Sequence, residues 1–153
     1  MDLSLIKEFE GLRLEAYKDS VGVPTIGYGS TFYLDGTKVK MGDKLSSEKE
    51  ASELLQNLVD KKFLPVLKKI PTWNQMNDNQ QSAVLSFAYN LGANFYGSSG
   101  FNSITNLLKN PQQWNNKVEV RRVFGLYVKA GGRTLPGLVR RRKAEAELFS
   151  KAT

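Results

Sequence analysis

The spacing of apolar positions changes along the chain. Leu3, Ile6 and Phe9 recur at helical spacing, and Gly11 closes that run. From Leu12 the period becomes two. Leu12, Leu14 and Ala16 alternate with Arg13, Glu15 and Tyr17, which predicts a strand. Asp19-Ser20-Val21-Gly22 carries turn chemistry, and Thr25-Ile26-Gly27-Tyr28-Gly29 resumes an extended pattern. Asp35-Gly36 signals a hairpin turn, and Val39 to Leu45 predicts a third short strand. Ser47-Glu48-Lys49-Glu50 has the spacing of a capping box and opens a long helix. Its apolar stripe of Ala51, Leu54, Leu55, Leu58 and Val59 runs to about Leu64, where Pro65 disturbs it.

Only helices are expected beyond that point. Asn77 or Asp78 caps one that carries Val84, Leu85, Ala88 and Leu91 and stops at Gly92. A Gly/Ser/Asn-rich loop follows from Ala93 to Gly100. Helices are then predicted near 102–109 and 112–129, the second with Pro111 at its start. Ala130-Gly131-Gly132 breaks the pattern, and a last helix spans about Pro136 to Ser150. The fold class is α+β in a single domain over residues 1–153. A small lobe with a short antiparallel sheet (about 12–46) precedes a connecting helix (about 47–70) and a helical lobe (about 71–153). The first helix packs between the lobes. Two lobes joined by one helix leave a cleft, where ligand sites tend to occur.

The chain has 153 residues, no cysteine and no histidine. Thiol nucleophiles, Cys or His zinc sites, Ser-His-Asp triads and histidine proton shuttles are thereby excluded. Acid–base chemistry must come from Asp, Glu, Lys or Tyr. The formal net charge is +7, and residues 117–153 hold ten basic and three acidic side chains. Arg140-Arg141-Arg142-Lys143 is the densest run. Either it serves an anionic partner or it is a solvated helix face. No charged residue lies between Asn79 and Leu108, yet Asn, Gln, Ser and Gly interrupt that stretch too often for a bilayer helix. A soluble chain without a transmembrane segment or signal peptide is expected.

On a helical wheel Glu10 falls on the stripe of Leu3 and Ile6, whereas Glu8 points away. A carboxyl on an apolar face at the last helical turn favours the protonated form that a general acid requires. A salt bridge from Glu10 to Arg13 or to a C-terminal arginine is the structural alternative. Asp19 lies in a polar turn. A protonated Glu beside an ionised Asp is the pairing used in glycoside hydrolysis, and Thr25 could hold the same water. Asp19 also suits a plain turn and Thr25 a plain strand.

Phe9-Glu10-Gly11-Leu12-Arg13-Leu14-Glu15-Ala16-Tyr17-Lys18-Asp19, followed by Thr25-Ile26-Gly27-Tyr28-Gly29, resembles the signature of phage-type lysozymes, glycoside hydrolase family 24. Ser86-Phe87-Ala88-Tyr89-Asn90-Leu91-Gly92 and Gly131-Gly132 through Leu135-Pro136-Gly137-Leu138-Val139-Arg140-Arg141-Arg142-Lys143-Ala144-Glu145 look like its C-terminal lobe. Tyr127 stands where many relatives carry Trp. The resemblance implies an endolysin fold and activity: cleavage of the β-1,4 bond between N-acetylmuramic acid and N-acetylglucosamine of bacterial peptidoglycan. Glu10 would be the general acid, with Asp19 and Thr25 positioning the attacking water. Phe32, Tyr89, Asn90 and Ser103 would touch saccharide. No cofactor and no metal are implied, and a monomer is expected. The basic C-terminal lobe would bind anionic wall polymers, and no nucleic-acid partner is expected. The enzyme would wait in the host cytoplasm and reach the wall after membrane permeabilisation.

Three other readings compete. A lytic transglycosylase cuts the same bond with a single Glu and needs no Asp/Thr pair. A basic nucleic-acid-binding protein would explain the charge but not Glu10 and its spacing partners. A wall-binding protein that has lost activity would not need all three residues.

Overall fold

The computed structural model describes residues 1–152. It divides into two compact units, Ile6–Lys62 and Met1–Leu5 with Phe63–Thr153.

The first unit holds most of helix α1 (Ser4–Glu10), strands β1 (Arg13–Lys18) and β2 (Pro24–Gly27), and helix α2 (Glu48–Leu58). β1 and β2 pair antiparallel with Arg13 opposite Gly27 and Tyr17 opposite Thr25. The stretch expected as a third strand forms no strand. Lys44 makes an isolated bridge to Glu15, held by Ala16 N–H to Asp43 O and Leu45 N–H to Leu14 O, and the Val39 N–H bonds Thr31 O beside a second isolated bridge, Phe32 to Lys38. Gly42, at φ +95°, turns the chain there, so pairing cannot propagate. Ile6, Ala16, Ile26, Val39, Leu45, Ala51 and Leu55 form the core. β2 meets α2 closely at Gly27, whose φ is +69° and where a Cβ would lie 3.2 Å from that of Ala51. Only glycine combines that backbone with that approach.

Ser47 caps α2 by accepting from the Glu50 N–H at 3.4 Å. The reciprocal half of the expected capping box is absent, because the Glu50 carboxylate instead takes the Ser46 N–H at 2.9 Å and the Ser46 hydroxyl. Before Pro65 the helix widens into a π-turn, Val59–Phe63, and then α3 (Leu64–Leu67). Proline has no N–H to donate, and its ring would strike the Lys61 carbonyl in a regular α-helix.

In the second unit α4 (Asp78–Leu91) has a full capping box between Asn77 and Gln80 and ends at Gly92, φ +117°. α5 (Asn102–Lys109) lies where it was expected. The helix predicted over 112–129 is shorter. Pro111–Gln113 form a 3-10 turn, Asn116 caps α6 (Lys117–Phe124) through the Glu119 N–H at 3.1 Å, and Gly125 follows. Nor are all the remaining elements helical. β3 (Lys129–Ala130) and β4 (Arg133–Thr134) form a hairpin. Gly131 and Gly132, at φ +60° and +78°, supply the two left-handed residues of a tight two-residue turn. α7 (Pro136–Phe149) packs on α4 and α6. Phe87, fully buried on α4, meets Phe95, Phe124 and Tyr127 edge-on at 4.9, 5.8 and 5.3 Å.

Candidate active site

α1 orients Glu10. Ile6 is buried, Glu10 one turn further on is half-buried, and Glu8 is exposed, as the wheel requires. Lys7 pins this helix from its flank. Its Nζ lies 3.3 Å from Glu48 Oε2 and donates to Ser52 Oγ at 2.7 Å, while the Tyr28 hydroxyl donates to Glu48 Oε2 at 2.8 Å. Hydrogen bonds from Ser52, Tyr28 and Lys7 hold the Glu48 carboxyl below its ordinary value. The start of α2 thus clamps both α1 and the end of β2.

Asp19 and Thr25 flank the turn between β1 and β2. Asp19 Oδ1 accepts the N–H groups of Val21 at 3.0 Å and Val23 at 2.8 Å, a side-chain turn of the kind aspartate forms readily. The Asp19 N–H and the Thr25 Oγ1 both donate to Val23 O, at 3.0 and 2.8 Å. One residue of backbone therefore anchors both side chains. With its proton committed to a carbonyl, the Thr25 oxygen is left as an acceptor. Asp19 Oδ2 has no hydrogen-bond partner among the described residues. Thr25 is buried and Asp19 half-buried.

The residues expected to touch saccharide have separate settings. Phe32 is 40% exposed, with Lys62 Nζ 5.0 Å from its ring centre. Tyr89 stacks on Phe63 at 5.1 Å. The Asn90 Oδ1 accepts from Arg142 Nη2. Ser103 lines a polar pocket of about 250 Å³ with Asn106, Asn110 and Gln113, side chains suited to hydroxyl and amide groups.

The basic run divides in two. Arg140 and Lys143 are exposed, but Arg141 and Arg142 are buried beside fully buried Glu145. Arg142 Nε lies 3.1 Å and Arg141 Nε 3.4 Å from the Glu145 carboxylate. The Ser86 hydroxyl donates to Glu145 Oε2 at 2.6 Å, and Arg142 sits 4.9 Å over the Phe87 ring. Burial pushes the Arg142 guanidinium down to about 10 and the Glu145 carboxyl up, against the pull of their mutual attraction. Half of what reads as a cationic surface is therefore an internal ion cluster. Three consecutive side chains fan over roughly 200° of a helix, so Arg140 to Arg142 cannot share one narrow face, but the sequence does not tell which of them turn inward.

Among the described residues no group of three or more His, Cys, Asp or Glu is placed to hold a metal, and no helix is long and apolar enough to cross a membrane.

A short antiparallel sheet followed by helices is the architecture of the phage endolysins among solved structures. The chain belongs to the phage lysozyme family, whose profile matches residues 7–145. It is 35% identical over 150 residues to the endolysin of Salmonella phage P22, covering 96% of this chain and 93% of that one. Among solved structures, an endolysin from Escherichia coli O157:H7 phage FAHEc1 superposes with a TM-score of 0.73 at 34% identity, covering 97% of this chain and 93% of that one. The muramidase domain of SpmX from Asticaccaulis excentricus gives 0.70 at 26% identity, covering 98% and 95%. The protein is a peptidoglycan-lytic lysozyme.

Proposed function

We propose that this lysozyme hydrolyses the β-1,4 bond between N-acetylmuramic acid and N-acetylglucosamine, with Glu10 as general acid and Asp19 and Thr25 holding the attacking water. The shared anchoring of Asp19 and Thr25 on Val23 carries this reading. A water between them donates one proton to Asp19 Oδ2 and the other to Thr25 Oγ1, which leaves its lone pair for the anomeric carbon. As the water oxygen bonds to that carbon, the bond to the leaving sugar oxygen breaks. Glu10 gives its proton to that oxygen, and Asp19 takes one from the water. Solvent then restores both carboxyls. A lytic transglycosylase would need only Glu10, so the two fixed acceptors support hydrolysis.

The relatives named as endolysins support action on the wall during host lysis. On that reading the enzyme crosses from the cytoplasm once the membrane is permeabilised. The exposed Arg140 and Lys143 add weak attraction to anionic wall polymers.

The test is digestion of purified peptidoglycan by the wild type and Glu10→Gln, with mass analysis of the released fragments. Reducing-end muropeptides from the wild type alone support the assignment. Fragments lighter by one water, about 18 Da per cut end, would assign the protein to the transglycosylases. Equal release by Glu10→Gln would remove Glu10 from the mechanism.

A further inference from the structure

The sheet-bearing unit carries a groove of about 320 Å³ whose lining includes Phe32 but none of Glu10, Asp19 and Thr25. One wall is a single face of α2 and the π-turn. Leu54, Asn57, Leu58, Lys61 and Lys62 stand three and four residues apart, so the wall grades from leucine to lysine along its length. The other wall is formed by Phe32 and Leu34, 40% and 52% exposed. Lys61 and Lys62 are both exposed, and neither pairs with a carboxylate among the described residues. The neighbouring Asp60 is engaged elsewhere, accepting from Gln56 Nε2 at 3.0 Å. Past Leu34 and Leu54 the groove meets a second pocket, of about 340 Å³, which Glu53 lines. This surface is therefore cationic at one end, apolar in the middle and anionic at the other.

We propose that it holds the peptide stem of peptidoglycan, with Lys61 and Lys62 taking stem carboxylates and Glu53 facing a free side-chain amine. The proposal rests on the lysozyme reading. The lining offers Thr31, Tyr33 and Asn57 to hydroxyl or amide groups, but the sugars of a glycan strand carry no charge for Lys61 and Lys62. A peptide stem supplies carboxylates for them and alanine methyl groups that bury against Leu34, Leu54 and Leu58. An extended peptide with free carboxylates and an amine matches the order of charges. Position agrees as well. Ser30, at the groove, exchanges backbone hydrogen bonds of 2.8 and 2.9 Å with Ile26, which adjoins Thr25. One lining residue is therefore hydrogen-bonded to the sequence neighbour of Thr25.

The experiment compares kcat/KM of the wild type and the double variant Lys61→Gln/Lys62→Gln on two soluble glycan preparations of equal length. One carries intact stems, and the other has been stripped of them by an amidase. Expected is a loss of about fivefold on the stem-bearing substrate that fades with added salt, and no change on the stripped one. Lys68→Gln/Lys69→Gln, the same charge change outside the groove, should leave both rates alone. Glu53→Gln should slow cleavage of stems with a free amine and leave N-acetylated stems unaffected. An equal loss on both substrates, or no loss on either, would overturn the stem site while leaving the hydrolase intact. A wild type that opens neither substrate would overturn the lysozyme reading itself.

Discussion

Asp19 and Thr25 are bonded to the same residue. Asp19 Oδ1 accepts the Val23 N–H and Thr25 Oγ1 donates to the Val23 carbonyl, each at 2.8 Å. The β1–β2 register, with Tyr17 opposite Thr25 and Lys18 opposite Pro24, brings the turn into this form. Their relative position is thus a property of one hairpin. It does not depend on long-range packing.

Thr25→Val separates this positioning from the fold. The variant keeps the shape of the side chain, and the Val23 carbonyl keeps its bond from the Asp19 N–H at 3.0 Å. The melting temperature should fall by only a few degrees, as for loss of about 1 kcal/mol. Turnover of peptidoglycan should fall by about 10²-fold or more, and Asp19→Asn should cost about 10²–10⁴-fold. Thermal unfolding by circular dichroism beside a turbidity assay reads both. Full activity in Thr25→Val would dismiss the threonine from the site.

Glu145→Gln should destabilise the protein severely. It would leave Arg141 and Arg142 buried with one fewer counter-charge, and breaking such clusters costs about 3–5 kcal/mol. The double variant Glu145→Gln/Arg142→Met should cost less than the sum of its parts, because the orphaned guanidinium leaves with its partner. Urea unfolding of all four proteins gives the coupling. Additive losses would mean that the 3.1 Å approach of Arg142 to Glu145 contributes nothing.

Gly27→Ala tests the contact between β2 and α2. Alanine at φ +69° costs about 1–2 kcal/mol in backbone strain alone, and its Cβ would lie 3.2 Å from that of Ala51. A stability loss above about 1 kcal/mol is expected in chemical denaturation, together with lower activity, since β2 carries Thr25. A neutral variant would show that the helix yields freely.

Tyr33 should titrate late. Burial, reinforced by its 2.7 Å hydrogen bond to Asp43, pushes the phenol up to about 12. Since the folded value exceeds the ordinary one of about 10, this interaction stabilises the fold fully below pH 10 and is lost as pH rises through about 12. In an ultraviolet titration Tyr33→Phe should remove one of the last tyrosines to ionise. Its stability should also depend less on pH across that window. An unchanged titration curve would mean that the hydroxyl is not held by Asp43.

Much of this was legible in local pattern. Glu10 falls on the inward stripe of a helix whose period is plain, and Asp19 sits in a turn whose chemistry is local, so both could be placed from spacing. The caps at Ser47 and Asn77 and the stop at Gly92 are also short-range signals. The differences arise where a local turn or cap overrides the apolar spacing, or where distant contacts decide. Val39 to Leu45 has strand composition, but the turn at Gly42 leaves it isolated bridges at its two ends. Residues 112–129 have helical spacing, but Asn116 restarts the helix and Gly131-Gly132 favours a hairpin. Arg141 and Arg142 look like surface charge until Glu145 and Ser86 are seen beside them. The lysine-ended groove had a signal, the spacing of Leu54, Leu58, Lys61 and Lys62, which the core stripe of the same helix obscured.

The central claim is that a water held by Asp19 and Thr25 attacks the face opposite the departing sugar. Proton NMR of the anomeric signals in the first minutes of cleavage of a soluble glycan fragment tests it most directly. The account predicts that the α-anomer of the new reducing end appears first and then mutarotates. A β-anomer appearing first would mean retention of configuration, and Asp19 and Thr25 would not hold the attacking water.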